Sequence, residues 1–121
     1  MKKLSIRRAL PIALLMLALL AILAVPKASA ATITVNVANG DIEVNASGDV
    51  TEAGVSKGIL AVGDTLEITG AGPTATIIID GHDANIELNN VTALRMEITG
   101  NATVTVELTG SNTLNAWTAN N

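Results

Sequence analysis

After residue 31 the chain alternates apolar and polar residues, segment after segment, and each segment runs into a turn. Thr32-Ile33-Thr34-Val35-Asn36-Val37, Asp41-Ile42-Glu43-Val44 and Thr65-Leu66-Glu67-Ile68-Thr69 all keep a period of two. So do Asn85-Ile86-Glu87-Leu88, Arg95-Met96-Glu97-Ile98-Thr99 and Thr103-Val104-Thr105-Val106-Glu107-Leu108, and the more apolar Thr76-Ile77-Ile78-Ile79-Asp80 lies among them. A period of two sends one set of side chains into a core and the other into water, which is the pattern of a strand. Asn39-Gly40, Ser47-Gly48-Asp49, Gly63-Asp64, Gly70-Ala71-Gly72-Pro73, Asp80-Gly81, Asn89-Asn90, Gly100-Asn101 and Gly110-Ser111-Asn112 supply turn residues between the segments. No stretch after residue 31 has a helical period. Residues 50–58 carry the weakest pattern and are read as a loop.

The composition narrows the choice of β architecture. The chain has no Phe, no Tyr, no Cys and a single tryptophan, Trp117. Such a small domain without aromatics or disulfides makes a poor conventional core. Repetition offers another way to build one. Leu66-Glu67-Ile68-Thr69-Gly70 returns as Met96-Glu97-Ile98-Thr99-Gly100, and Thr76–Gly81 lines up with Thr105–Gly110. A recurring unit of short strands suggests a solenoid, whose stacked coils form a continuous aliphatic column. The reading is all-β, a short solenoid of about three coils; the alternative is an antiparallel β-sandwich.

Residues 1–30 read differently. Lys2, Lys3, Arg7 and Arg8 precede an unbroken apolar run from Ile12 to Val25, and Ala28-Ser29-Ala30 follows. Cationic, apolar, then small is the order of a secretory signal peptide, here with cleavage expected after Ala30. The domain would then be residues 31–121, secreted or held at the cell surface and free of the membrane. Only Lys57 and Arg95 remain against eleven acidic residues, a formal net charge of −9. So acidic a surface excludes the basic patch that nucleic acid requires. It suits divalent cations, which favour carboxylate oxygens.

Candidate chemistry follows from the carboxylates. Glu43, Glu67, Glu87, Glu97 and Glu107 each sit between two aliphatic residues, so each points outward from the middle of a strand. If the 30-residue echo is one coil, Glu67 and Glu97 share a column about 4.8 Å apart. A bound Ca²⁺ would relieve their repulsion. Asp80-Gly81-His82-Asp83 is the densest polar turn, and Asp80 and Asp83 are candidate calcium ligands beside Glu67 and Glu97. His82 is the chain's one histidine; a lone turn histidine is ordinarily just exposed. No nucleophile–histidine set, phosphate loop or zinc motif is present. The chain is read as a non-enzyme, with a polysaccharide lyase or hydrolase the least favoured class.

Ala84-Asn85-Ile86-Glu87-Leu88-Asn89-Asn90-Val91, followed by Ala102-Thr103-Val104-Thr105-Val106-Glu107-Leu108-Thr109-Gly110-Ser111-Asn112-Thr113-Leu114, resembles the secreted carbohydrate-binding β-helix proteins of clostridia and related bacteria. The resemblance implies a right-handed parallel β-helix, calcium at the coil edges and a plant cell-wall or acidic polysaccharide as ligand. Proteins of that family carry many coils after this motif, so the domain is expected to be incomplete at its C-terminus. Its open end is expected to favour self-association. The alternative function is structural: an adhesin-like surface segment whose acidic face only keeps it soluble.

Overall fold

The computed structural model describes residues 30–119. The signal-peptide expectation falls, apart from Ala30, outside those residues. Among the described residues no helix is long and apolar enough to cross a membrane. The chain from Ala31 onward is one compact unit, and it is all-β. Among the described residues eight strands make it up: β1 (Thr32–Asn36), β2 (Ile42–Val44), β3 (Asp49–Glu52), β4 (Val55–Ile59), β5 (Thr65–Asp80), β6 (Ala84–Thr99), β7 (Val104–Thr109) and β8 (Thr113–Ala119). A single turn of 3₁₀ helix, Val37–Asn39, follows β1.

The strands form one mixed sheet. Its antiparallel part is local: β2 pairs with β3, and β3 with β4. Everything else is parallel. β1, the first third of β5, the first third of β6 and β7 stand side by side, with Ile33 opposite Leu66, Leu66 opposite Ile86, and Ile86 opposite Val106. β2, the last third of β5, the last third of β6 and β8 form a second parallel row, with Ile42, Ile77, Met96 and Trp117 in register. From β5 onward the chain thus returns to the same register every 19 to 21 residues. The first return is longer, 33 residues from Ile33 to Leu66, because the β3–β4 hairpin is inserted there.

These registers correct two expectations. The 30-residue echo is not the structural repeat: Leu66 meets Ile86, while Met96 meets Ile77 in the other row. The two echoing segments look alike because each is a strand stretch that runs into a glycine with positive φ, Gly70 within β5 at +89° and Gly100 just after β6 at +69°. That local chemistry recurs at both ends of a rung. Residues 50–58 are likewise not a loop but most of the β3–β4 hairpin, whose pattern is blurred by a register shift between Val50 and Thr51. Asn89-Asn90 is a bend inside β6 rather than a break. Asn90 takes a left-handed conformation (φ 54°) there, as Gly70 does in β5 and Gly110 before β8. A Cβ on Gly70 would collide with the Asn36 side chain, and one on Gly110 with that of Asn90. Asparagine on one rung therefore requires glycine on the next.

The core is a column of aliphatic side chains. Val35, Ile42, Val44, Leu66, Ile68, Ile77, Ile79, Ile86, Leu88 and Met96 are all buried. Alternation along each strand delivers them, and the parallel register places like on like. At the β1 end the column is closed by the hairpin through Glu52. Its carboxylate, on a residue only 8% exposed, accepts hydrogen bonds from the Asn36 backbone N–H at 2.9 Å and from Asn39 Nδ2 at 2.8 Å, with Lys57 Nζ 3.8 Å away. At the other end β7 and β8 carry the last register, and the covering fades: Leu108 stands in the row of Leu88 yet is 65% exposed.

Two outcomes follow. Leu88→Ala should cost about 2–5 kcal/mol by the usual cavity and transfer terms, whereas Leu108→Ala in the same row should cost under about 1 kcal/mol, because most of its surface already meets water. Urea denaturation of both variants checks this, and equal losses would refute the gradient. The Asn36 N–H, foremost, and then Asn39 and Lys57 hold the Glu52 carboxyl below its ordinary value of 4.5, against the opposing effect of burial. A carboxylate with a depressed folded pKa stabilises the fold above its ordinary pKa, and this contribution is lost as pH falls through the depressed value. The melting temperature should therefore drop below about pH 4.5, and Glu52→Gln should flatten that part of the pH profile while lowering the plateau.

Candidate functional site

Parallel register copies a side-chain pattern from rung to rung on the outside as well as the inside. On the outer face of the first row this produces three lines of polar side chains. One is Thr32, Thr65, Asn85 and Thr105; the second is Thr34, Glu67, Glu87 and Glu107; the third is Asn36, Thr69, Asn89 and Thr109. Each line steps by one strand spacing, about 4.8 Å. The result is a flat lattice in which every side chain carries a hydroxyl, an amide or a carboxylate.

The lattice is partly tied together. Thr34 Oγ1 donates to Glu67 Oε1 at 3.0 Å, and Asn89 Nδ2 donates to Glu67 Oε2 at 3.3 Å. Thr109 Oγ1 donates to Glu87 Oε1 at 3.2 Å. Neutral donors on neighbouring rungs thus offset part of the repulsion between stacked carboxylates. The carboxyl of Glu107 lies at the solvent-exposed end of its line. A shallow depression of about 180 Å³ borders the lattice, lined by Val62, Gly63, Asp83, Ala84, Asn85, Thr103 and Thr105. Small-molecule sites ordinarily enclose about 300–1,000 Å³, more than this depression offers.

The four expected calcium ligands are not brought together. Glu67 stands opposite Glu87, not Glu97. Glu97 lies in the second row, opposite Ile78 and Thr118, and its Oε1 is 3.2 Å from Arg95 Nε. Asp80 accepts from Thr99 Oγ1 at 2.8 Å, and Asp83 from the Thr103 backbone N–H at 2.7 Å. Both aspartates join one rung to the next, as Asp41 does by accepting from the Thr76 N–H, and Asp64 from the Ala31 N–H. Among the described residues no group of three or more His, Asp and Glu side chains converges as a metal site would require.

His82 serves the fold too: its Nε2 is 2.7 Å from the Leu60 carbonyl oxygen, to which it donates, and the ring packs where Gly48 has no side chain. Trp117 stands in the second row at the register of the buried Met96, outside the lattice lines, and is half exposed.

The sequence pattern exposed the outward glutamates one by one but not which of them share a line. The missing signal was the 20-residue offset. It can be found by aligning Leu66-Glu67-Ile68-Thr69 with Ile86-Glu87-Leu88-Asn89 and Val106-Glu107-Leu108-Thr109. The sequence pattern gives no sign of Glu52, because the alternation around it is too weak to mark a strand. The chain matches no protein-family profile, no curated protein and no solved structure.

Glu87 has a glutamate on both sides, so neutralising it removes two repulsions at once. Glu87→Gln keeps an acceptor for Thr109 and should raise stability by about 0.5 kcal/mol, most clearly at low ionic strength. Thermal melts at two salt concentrations read this out, and a destabilised variant would contradict the stacked-charge account.

Proposed function

We propose that this chain is a secreted binding module, a short parallel β-helix that offers its Thr/Asn/Glu lattice to a hydroxyl-rich, uncharged polysaccharide. The observation that carries this reading is the lattice itself. A polymer repeats along its length, and so do the three polar lines. Asparagine, threonine and carboxylate side chains offer both donors and acceptors to sugar hydroxyls. Many weak contacts in register then add up along one ligand in the manner of multivalent binding.

Three further features support it. The leader-like composition of residues 1–30 favours export. The parallel returns every 19 to 21 residues favour a helical winding of the strands over a sandwich. The formal charge of −9 over residues 31–121 disfavours an acidic ligand unless cations screen it. Calcium is therefore left out of the binding step, in line with the scattered carboxylates.

Retention on insoluble or gel-embedded neutral polysaccharides, in the presence of EDTA, tests the proposal. The expected result is retention by at least one neutral polymer, weakened tenfold or more by the pair Asn85→Ala and Glu87→Ala. Retention only by an anionic polymer, and only with millimolar calcium, would replace this reading with a calcium-bridged one. No retention by any polymer would leave the lattice as the solvated wall of a structural surface segment.

A further inference from the structure

The first strand begins directly behind the expected cut. Thr32 opens β1, and the compact unit starts one residue earlier, at Ala31. Ala30 and Ala31 are both exposed, so the peptide bond between them is open to a peptidase. On the C-terminal side of that bond the chain is fixed at once. The Ala31 carbonyl accepts from the Thr65 N–H at 3.0 Å, and the Ala31 nitrogen donates to Asp64 Oδ1 at 2.9 Å. Asp64 is prepared for this contact. Its Oδ2 accepts from the Ala61 N–H at 3.0 Å, and its own N–H donates to the Ala61 carbonyl at 3.0 Å. The turn before β5 thus holds the carboxylate half-buried, with one oxygen committed to the turn and the other meeting Ala31. Glu67 of β5 and Lys57 of β4, on the strands packed against β1, are engaged with Thr34 and Glu52.

We propose that Asp64 receives the α-amino group that cleavage after Ala30 releases, so that processing itself adds an ion pair to the fold. The cut is a hydrolysis by water at a signal-peptidase site. The bond between the Ala30 carbonyl carbon and the Ala31 nitrogen breaks. The water oxygen joins that carbon to give a carboxylate, and the two water protons go to the nitrogen, which becomes an ammonium. A neutral amide donor 2.9 Å from a carboxylate oxygen is thereby replaced by a cation at the same place. Charge-assisted hydrogen bonds are roughly twice as strong as neutral ones. The uncut chain makes the same hydrogen bond without the charge, so the domain reaches its full stability only after the leader has gone. The contact also pins the start of β1, whose parallel pairing with β5 makes the first return of the winding. This device rests on export as proposed above and is independent of polysaccharide binding.

The test starts from the full-length chain, expressed in a secreting bacterium. Intact mass should place the N-terminus of the exported product at Ala31. Acetylating the α-amine then removes its charge and leaves an N–H donor, as in the uncut chain. From residue 31 onward Lys57 is the one lysine, so peptide mapping tells the two amines apart. Acetylation should lower the melting temperature by about 2–4 °C, the size of an exposed ion pair in a domain of this length. The shift should persist in Glu43→Gln, which removes an exposed charge from β2, and should fall by more than half in Asp64→Asn. Asparagine keeps an acceptor for the Ala61 N–H, and comparing acetylated with free protein within each variant cancels any loss in the turn itself. An N-terminus elsewhere would overturn the proposal at the cut, and the export reading with it. A product that starts at Ala31 but whose shift is absent, or equal in all three proteins, would overturn the ion pair alone, because a general charge effect on an acidic chain does not depend on Asp64.

Discussion

In-register parallel pairing is the constraint on which the rest of this molecule depends. Leu66, Ile86 and Val106 occupy one line, and so do Glu67, Glu87 and Glu107 one residue along. The first line is a core and the second is a row of like charges, and the same hydrogen bonds impose both. Aliphatic side chains stack well on copies of themselves, so the core dispenses with phenylalanine and tyrosine. Carboxylates do not, so the outer face needs Thr34, Asn89 and Thr109 as donors between rungs. Aspartates avoid the problem by sitting at the corners, where Asp41, Asp64, Asp80 and Asp83 each accept from another rung or loop. Position within the rung, more than residue type, decides whether an acidic side chain holds the structure together or strains it.

How much of this was legible in the sequence follows from the range of each signal. Period-two alternation is local, because a strand's two faces are set by successive residues. It identified β1, β2, β5, β6 and β7 and the side that each buries. The winding depends instead on which strands meet, and there the strongest echo misled. Leu66–Gly70 and Met96–Gly100 share a sequence because both are strand stretches that run into a left-handed glycine, yet they belong to different rows. The true 20-residue return is fainter, because Asn89 stands where Thr69 and Thr109 do, and Asn90 where Gly70 and Gly110 do. Those substitutions are chemically equivalent, since asparagine tolerates a left-handed backbone, but they break the resemblance of the letters. The echo therefore pairs Glu67 with Glu97, whereas the true return pairs Glu67 with Glu87.

The hairpin shows the opposite failure. Val50 and Glu52 point into the structure and Thr51 away from it, which is strand alternation, but Glu52 is a charge in an inward position. Read from sequence, a buried glutamate argues against a strand. In the folded chain it is acceptable because the Asn36 N–H, Asn39 and Lys57 surround it, and a buried charge with such partners is held rather than penalised. Those partners come from β1, the turn after it and β4, so no local window of residues contains them.

The same hairpin explains why the two ends of the stack differ. Inserted between the first two returns, it folds back antiparallel on β2 and gives the first rung an outer layer that does not continue the winding. A parallel rung added beyond β4 would meet the wrong strand direction, a lysine and a glycine. β7 and β8 have no counterpart to this device, and they keep the plain alternation of the strands they follow. Regularity is thus an asset within the stack and an exposure at its edge.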